Sequence, residues 1–456
     1  MKSKAIFISG LLLAAFGLGL VAYGNQSVIM EKISEITPHE YHIQYIPPEE
    51  KLHISNATTG VGTYIIELTN PPETASIQQD RLILQIQDMG GQILRRYTTT
   101  VNAITVNLPR NRIMSLACNP DIKRIYEDRR IFSIPYEENN SIGTNISFPH
   151  EYTGKGVMVF VIDTGINGDL PQFQNNNHSV VSVYYSTYNG VKYTHWHGTF
   201  CGYIIHEIAP DAELGSICVF DYDGQAWLSD VIDATDYVAV WHRQHPNVFT
   251  TVSCSFGISQ SAWHGGGWSN PCIVCEAFNS LANMGIPVVV AAGNDGPDTR
   301  TINCPGQAQY VLTVGAVDKD KNIAWFSSRG PTTDEHRKPD VVAYGVDIKG
   351  IDTKGNDKIS SGTSFSTPMV AGVVAQLGEK YGYSYTPKQY YDAIRSSAID
   401  LGEKGYDYDY GYGFVNVTGS FNAMASMTPT KVYTNVGIPI FVIGVAFMAA
   451  PVWRRR

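Results

Sequence analysis

Charge is scarce in this chain, and positive charge is the scarcer sign. Only 16% of the 456 residues are Asp, Glu, Lys or Arg, and the formal net charge at pH 7 is -9. A negative balance without a basic patch provides no electrostatic attraction for phosphate backbones. We therefore expect no nucleic-acid partner.

Repeats and low-complexity stretches are also lacking, so a solenoid or a disordered array is not indicated. Hydrophobic residues make up 43% of the chain, and 456 residues exceed the length of one typical domain. A large core with a modestly charged surface is expected, as in secreted or surface enzymes.

Cysteine is infrequent, and the seven residues cannot all pair within one chain. Cys272 and Cys275 form a Cys-x-x-Cys pair with Cys304 nearby; outside the cell a disulfide would suit them, whereas zinc lacks an evident fourth ligand. Cys201 and Cys254 lie in apolar segments and are interpreted as small buried residues, not reactive thiols. We expect no metal site.

The most informative motif is Gly362-Thr363-Ser364, which precedes a helix-like run over residues 365–382. A serine at a helix start has backbone N–H groups and the positive end of the helix dipole facing any anion that forms beside it. Such a position suits a nucleophile.

A serine nucleophile needs a base and a carboxylate that orients the base. The apolar run at residues 157–162 predicts a buried strand that delivers Asp163 at its carboxyl end. His197-Gly198-Thr199 supplies the base. Another buried strand, residues 288–292, leads to Asn294, whose amide is a candidate donor to an oxyanion.

Together, Asp163-Thr164-Gly165, His197-Gly198-Thr199, Ala292-Gly293-Asn294 and Gly362-Thr363-Ser364 resemble the subtilisin-like serine protease family. The order Asp, His, Ser is that of subtilisin itself. The resemblance covers most of residues 140–425. It implies an α/β fold with a parallel sheet flanked by helices, in a catalytic domain at residues 133–425.

The resemblance also implies roles for the residues. His197 would be the general base, Asp163 would orient it, Ser364 would attack, and Asn294 would help to form the oxyanion hole. The primary specificity pocket would be lined by Ser255, Phe256, Gly257, Ala292 and Gly293 and would bind an extended substrate as an added strand.

Simpler interpretations exist for each residue alone. An Asp after a strand is usually a turn former, and a Ser at a helix start is usually a cap. His195 competes with His197 for the base role or forms a His-x-His metal pair with it. Asp221 and Asp223 are candidates for structural calcium, although a surface turn fits them better. No cofactor is expected for the chemistry.

Residues 61–132 precede the catalytic motifs. Strands are predicted at residues 63–68 and 103–108, and helices at residues 75–89 and 109–118. This β-α-β, β-α-β order resembles the inhibitory propeptide of the same family, a small α+β (ferredoxin-like) domain. It would assist folding, block the cleft and be removed by autocatalytic cleavage between Glu127 and Asn145. The alternative is a permanent accessory domain.

Both ends carry membrane signals. Residues 1–24 are interpreted as a secretory signal peptide, with an uncleaved anchor as the alternative, and residues 25–60 as an N-terminal segment. After a linker at residues 426–435, residues 436–453 are predicted to form a transmembrane helix with a basic cytoplasmic end. A cleaved sorting tail is the alternative, but no LPxTG-like motif precedes it.

The resulting prediction is a serine endopeptidase, made as an autoprocessed zymogen, that acts on protein or peptide substrates. It would be secreted or held in the cell membrane by a single span, with its catalytic domain outside and its own propeptide as inhibitor. The competing class is a catalytically silent surface binding protein on the same fold. Limited processing of specific proteins, as opposed to digestion, is a third reading.

Overall fold

The computed structural model describes residues 47–54, 60–132, 149, 152–175, 178–186, 194–221, 224–259 and 272–430. The predicted signal peptide at 1–24 and the predicted transmembrane helix at 436–453 lie outside these ranges, as does most of segment 25–60. Within them, no helix combines the length and apolar character that a membrane span requires.

The helices and strands are numbered here in chain order. In the described ranges the strands are β1 (Leu52–His53), β2 (Val61–Leu68), β3 (Gln92–Tyr97), β4 (Ala103–Pro109), β5 (Ile122–Glu127), β6 (Arg130–Phe132), β7 (Val157–Asp163), β8 (Gln174–Asn175), β9 (His178–Ser179), β10 (Val181–Ser186), β11 (Glu213–Cys218), β12 (Gln225–Trp227), β13 (Phe249–Cys254), β14 (Val288–Ala291), β15 (Leu312–Val317), β16 (Val341–Tyr344), β17 (Ile348–Ile351) and β18 (Asp357–Ser360). The α-helices are α1 (Ala75–Asp88), α2 (Arg110–Leu116), α3 (Trp196–Ile208), α4 (Leu228–Gln244), α5 (Ile273–Asn283), α6 (Thr363–Tyr381), α7 (Pro387–Ser397) and α8 (Val417–Ser426). Short 3-10 helices occupy Pro48–Lys51, Pro72–Thr74, Pro171–Phe173 and Gly382–Ser384.

Seven parallel strands form the main sheet, in the order β10-β11-β7-β13-β14-β15-β16. Strand β7 is buried along its whole length, as expected when helices cover both faces of a parallel sheet. Its alternate side chains join different cores: Val159 packs with residues of α3 and α6, whereas Phe160 packs with residues of α4 and α5. The predicted fold class is confirmed.

Helix α6 runs through the first of these cores. Its residues Thr363 to Gly378 are all buried, and small side chains let it approach its neighbours. A Cβ at Gly372 would lie 2.7 Å from Ile208 on α3. This close contact holds the middle of α6 against the carboxyl end of α3.

Residues 61–127 and the short strand β1 before them form a second sheet with the order β1-β5-β2-β4-β3. Apart from the short parallel pair β1 and β5, its strands are antiparallel. Helices α1 and α2 pack on one face through Leu82, Ile86 and Ile113. The element order β2-α1-β3-β4-α2-β5 agrees with the predicted β-α-β, β-α-β arrangement, and helix ends differ from the prediction by only one or two residues.

The junction between this domain and the catalytic domain is made at α4 and α5. Arg95 on β3 lies 2.7 Å from Asp230 and 3.0 Å from Asp233 of α4. Lys123 on β5 lies 2.9 Å from Glu276 of α5. The chain then continues into β6, which pairs antiparallel with β12 of the catalytic domain.

Candidate active site

Asp163 is the last residue of β7 and is 1% exposed. The backbone N–H of Thr164 donates to Asp163 Oδ1 at 2.6 Å, and the Thr164 hydroxyl donates to the same oxygen at 3.0 Å. These two bonds fix the orientation of the carboxylate. The carboxyl end of a parallel strand therefore presents a rigid buried acceptor.

His197 is the hydrogen-bond partner of the Asp163 carboxylate. Its Nδ1 lies 2.8 Å from Asp163 Oδ1, and the imidazole is as buried as the carboxylate. The position depends on Gly198, because a Cβ there would lie 2.6 Å from the carbonyl oxygen of Gly165. The Gly198 N–H donates to the Thr164 hydroxyl at 2.9 Å. His197 Nε2 is buried and has no hydrogen-bond partner among the described residues, so its hydrogen-bonding capacity is unused.

His195 has a different place from the one that a competing base would need. It is the N-cap of α3, and its Nδ1 accepts from the His197 backbone N–H at 3.4 Å. Burial, followed by the neighbouring His197, lowers the pKa of His195. His195 therefore caps the helix, whereas His197 is the imidazole that pairs with Asp163.

Ser364 lies in the first turn of α6 and is 4% exposed. Its hydroxyl donates to the backbone carbonyl of Ser255 at 2.8 Å. The ring of the adjacent Phe365 lies 5.7 Å from the His197 ring. The residue after the serine therefore contacts His197, and the serine hydroxyl itself binds the carbonyl that follows β13 and not the imidazole.

Asn294 follows β14 and is held by Thr363. Its Oδ1 accepts from the Thr363 backbone N–H at 3.0 Å and from the Thr363 hydroxyl at 2.9 Å. The Gly293 N–H donates to the same hydroxyl at 3.2 Å. Because Oδ1 is turned to Thr363, Nδ2 faces the other way, toward Gly362, where a Cβ would lie 3.3 Å from it.

A small cleft opens beside Ser364. It is lined by Phe256, Gly257, Ala291, Gly293, Asn294, Asn303, Thr363 and Ser364. Gly293 has a φ of +109°, and a Cβ there would lie 2.1 Å from Asn303 Oδ1, so only glycine fits this wall.

The other predicted pocket residues contribute differently. Ser255 contributes its carbonyl to Ser364. Ala292 stands behind the wall: its N–H donates to Val314 at 2.9 Å, and its carbonyl accepts from Asn303 at 2.8 Å. Its backbone groups are thus used within the protein.

Three contributors were not predicted as site residues: Thr164, Thr363 and Asn303. Thr164 and Thr363 lie inside the motifs that identified the site, but their flanking position gave no indication that their hydroxyls would bind Asp163 and Asn294. Asn303 donates from Nδ2 to Asp295 at 2.9 Å. Its contact with Gly293 lies within the segment between β14 and β15 and depends on side-chain placement, which no periodicity in the sequence reveals.

Cys201 lies beneath the pair. Its sulfur, Asp163 and His197 have ligand-type atoms within 4.8 Å of one another, and the thiol lies 3.4 Å from the Ser364 carbonyl. Burial, and then the Asp163 charge, raise the pKa of Cys201 well above its usual value, and burial does the same for Cys254. A neutral thiol is a poor nucleophile and a poor ligand, in agreement with a packing role.

Comparison with known proteins places this geometry in a family. The family model described as Peptidase S8, the subtilase family, matches residues 154–413. Proteinase R of Parengyodontium album is 28% identical, across 69% of this chain and 78% of its own length. Serine protease AprX of Bacillus subtilis is 31% identical, across 49% of this chain and 57% of its own.

Two further similarities differ in how much of each protein they cover. The human membrane-bound transcription factor site-1 protease is 29% identical across 67% of this chain, but the match spans only 30% of that protein. The crystal structure of fervidolysin from Fervidobacterium pennivorans, a keratinolytic enzyme related to subtilisin, superimposes with a TM-score of 0.63. At 20% identity, with 83% of this chain and 63% of that chain covered, it shows the fold alone. The family match extends over more than half of the chain, so this protein belongs to the subtilase family of serine endopeptidases.

Proposed function

We propose that the chain hydrolyses peptide bonds through Asp163, His197 and Ser364, with an acyl-enzyme intermediate. The observation that carries this proposal is the buried 2.8 Å contact between His197 Nδ1 and Asp163 Oδ1. It leaves Nε2 as the proton acceptor at the place where α6 delivers Ser364. A carboxylate in that position holds the imidazole in the required tautomer and stabilises the imidazolium.

The steps follow from these atoms. His197 Nε2 takes the Ser364 proton while Oγ attacks the scissile carbonyl carbon, and the carbonyl oxygen becomes an oxyanion. His197 then returns the proton to the leaving amine, and the acyl group stays on Oγ. Water, deprotonated by His197, hydrolyses this ester and restores the serine.

Asn294 is proposed to stabilise the oxyanion. With Oδ1 held by Thr363, the amide group has one orientation, and its Nδ2 hydrogens need no reorganisation when charge develops. The backbone N–H of Ser364, at the start of α6, is the second donor. The Ser364 hydroxyl must first exchange its bond with Ser255 for one with Nε2, which substrate binding would promote.

The substrate is proposed to be an extended peptide. Phe256, Gly257 and Gly293 line the cleft beside Ser364, and an extended segment can be bound there by backbone pairing. The chemistry requires neither metal nor cofactor. Asp221 is engaged in a turn, since its carboxylate accepts from the Gln225 N–H at 2.9 Å, and Asp223 lies outside the described residues.

Residues 61–132 are proposed to be an inhibitory propeptide. Two features support this role: the ion pairs to α4 and α5, and the pairing of β6 with β12, which leads the chain onto the catalytic domain as an extra strand. A segment that continues from β6 can occupy the cleft as a substrate does. Cleavage between Glu127 and Asn145 would then produce the mature enzyme.

Export and anchoring complete the proposal. The signal peptide at 1–24 and the transmembrane helix at 436–453 rest on the sequence patterns of residues outside the described ranges. We propose an extracellular catalytic domain that is anchored by its C-terminal helix or, after loss of that helix, secreted.

Intact-mass and N-terminal analysis tests the nucleophile and the propeptide together. Wild type and Ser364→Ala, both ending before residue 436, are expressed side by side, and each is treated with a biotinylated fluorophosphonate that labels activated serines. We expect wild type to lose residues up to the 127–145 region and to bind the label, and the variant to do neither. Labelling without cleavage would reject autoprocessing alone, whereas absence of both would favour the silent binding protein.

A further inference from the structure

Three cysteines outside the active site converge on one point. Cys272 is the N-cap of α5, Cys275 lies in its first turn, and Cys304 comes from the segment between β14 and β15. The sulfurs of Cys272 and Cys275 each lie 3.2 Å from that of Cys304. All three sulfurs are within 4.8 Å of one another, and each residue is at most 5% exposed.

A disulfide accounts for this arrangement only in part. It would join two sulfurs and leave the third buried against them, and the equal distances to Cys304 single out neither partner. Three sulfurs around one point are instead a donor set for a soft ion. We propose that Cys272, Cys275 and Cys304 bind one thiophilic metal ion, Zn²⁺ or Cu⁺. Three thiolates satisfy Cu⁺, whereas Zn²⁺ would add a fourth, non-cysteine ligand.

The cluster lies at the start of a helix. Cys272 caps α5 and Cys275 lies in its first turn, where backbone N–H groups and the positive end of the helix dipole favour negatively charged sulfur. Metal binding would displace the thiol protons.

A buried cation interacts with the cluster. Lys338 is 2% exposed, donates to Asp340 at 2.7 Å and interacts electrostatically with Cys275. Asp340 is shared with Arg395, 2.7 Å away, so this group of three carries one net positive charge. Such a charge would offset the net negative charge of three thiolates around Zn²⁺.

The ion would join two functional parts of the enzyme. Cys304 pairs with Ile258 through backbone hydrogen bonds of 2.8 and 3.2 Å, and Ile258 follows the cleft residues Phe256 and Gly257. Glu276, next to Cys275, binds Lys123 of the 61–132 domain. The site would therefore link the specificity wall to the helix on which the domain docks.

Metal analysis of the full chain tests the proposal. The protein is purified under reducing conditions, incubated with Zn²⁺ or with Cu⁺, desalted and measured by mass spectrometry of its metals. A Co²⁺-loaded sample is examined for sulfur-to-cobalt charge-transfer absorption. Cys304→Ser is compared with two controls, the exposed Cys118→Ser and the buried Cys218→Ser.

We expect one equivalent of metal and a thiolate–cobalt spectrum in wild type and in both controls, and loss of both signals in Cys304→Ser. The metal that remains bound after desalting shows whether the site prefers Zn²⁺ or Cu⁺. If Cys304→Ser does not fold, the wild-type stoichiometry and spectrum decide. The proposal is overturned if wild type retains no stoichiometric metal, or if disulfide mapping of the chain as isolated finds Cys304 bonded to Cys272 or Cys275.

Discussion

Around Ser364 the contacts run through backbone groups and small side chains, whereas at the junction with residues 61–132 they run through charged side chains. Asp163, His197 and Ser364 are at most 4% exposed. At the junction, the side chains of Arg95 and Lys123 are 29% and 31% exposed. The basic partners at the junction thus remain partly in contact with water, although Asp230 is only 3% exposed. The proposed catalytic residues are buried within one domain, whereas the junction is made by charged pairs that water can reach when the two domains separate.

The largest effect is expected from the imidazole that contacts Asp163. His197→Ala should lower kcat/KM for a peptide substrate by roughly 10⁴ to 10⁶-fold, because no other group takes the serine proton. His195→Ala is the matched control and should lose about tenfold or less, since His195 only caps α3. Steady-state kinetics on chains processed in trans by wild type measures both. If the two variants lose kcat/KM equally, His195 becomes a candidate for the general base again.

Asn294→Asp separates the two functions of this side chain. The carboxylate keeps an acceptor for Thr363 and removes the Nδ2 donor, so kcat should fall by about 10² to 10³-fold, the scale known for the oxyanion-hole amide of subtilisin. KM and the thermal unfolding midpoint should change little. If Asn294→Asp keeps the kcat of wild type, Asn294 is not the donor that stabilises the oxyanion.

At the junction, Arg95→Ala should weaken docking of residues 61–132 by about 2 kcal/mol, roughly 30-fold, because it leaves the 3% exposed Asp230 without its partner. Arg96→Ala is the neighbouring control: Arg96 pairs with Asp80 inside the same domain and should change docking by about 0.5 kcal/mol or less. Native mass spectrometry of the cleaved complex gives the dissociation constants. Similar values for the two variants would show that charge at α4 does not hold the junction.

A smaller effect is expected from pH. Burial, and then Glu276, raise the pKa of Glu67 to about 8 in the docked state, against Lys123. A carboxyl group whose pKa is raised binds more protons when docked, so its contribution is fully present below the undocked pKa and is lost as pH rises through about 8. Docking should weaken by at least about tenfold between pH 5 and 8.

Glu67→Gln provides the control for this pH effect, because the amide is neutral throughout. The dependence should flatten in the variant, and Asp128, whose pKa burial raises to about 6, should account for what remains below that pH. A profile unchanged by Glu67→Gln would assign the effect to other groups.

The sequence predicted those parts of the fold that local chemistry determines. The apolar run ending at Asp163 is a buried strand, and the helix that begins at Gly362-Thr363-Ser364 starts within two residues of the predicted position. Hydrophobic patterns and glycine positions in the sequence identify these elements. The oxyanion, pocket and catalytic roles themselves remain predictions for the experiments above.

Contacts across the fold could not be predicted in the same way. Arg95 and Asp230 are 135 residues apart, and nothing in either segment identifies the partner. The bond from the Ser364 hydroxyl to the Ser255 carbonyl and the convergence on Cys304 depend equally on tertiary placement. Charged pairs and side-chain rotamers depend on the tertiary structure, so the hydrophobic periodicity of the sequence does not predict them.

Thr363 binds Asn294 through both its N–H and its hydroxyl, and it accepts from Gly293 with the same hydroxyl. An isosteric Val would lose both side-chain bonds, and Ser would keep them. In evolutionary terms, positions 294 and 363 are therefore expected to vary together. Apart from an exchange of Thr for Ser at position 363, we expect a lineage that changes one of these residues to change the other as well.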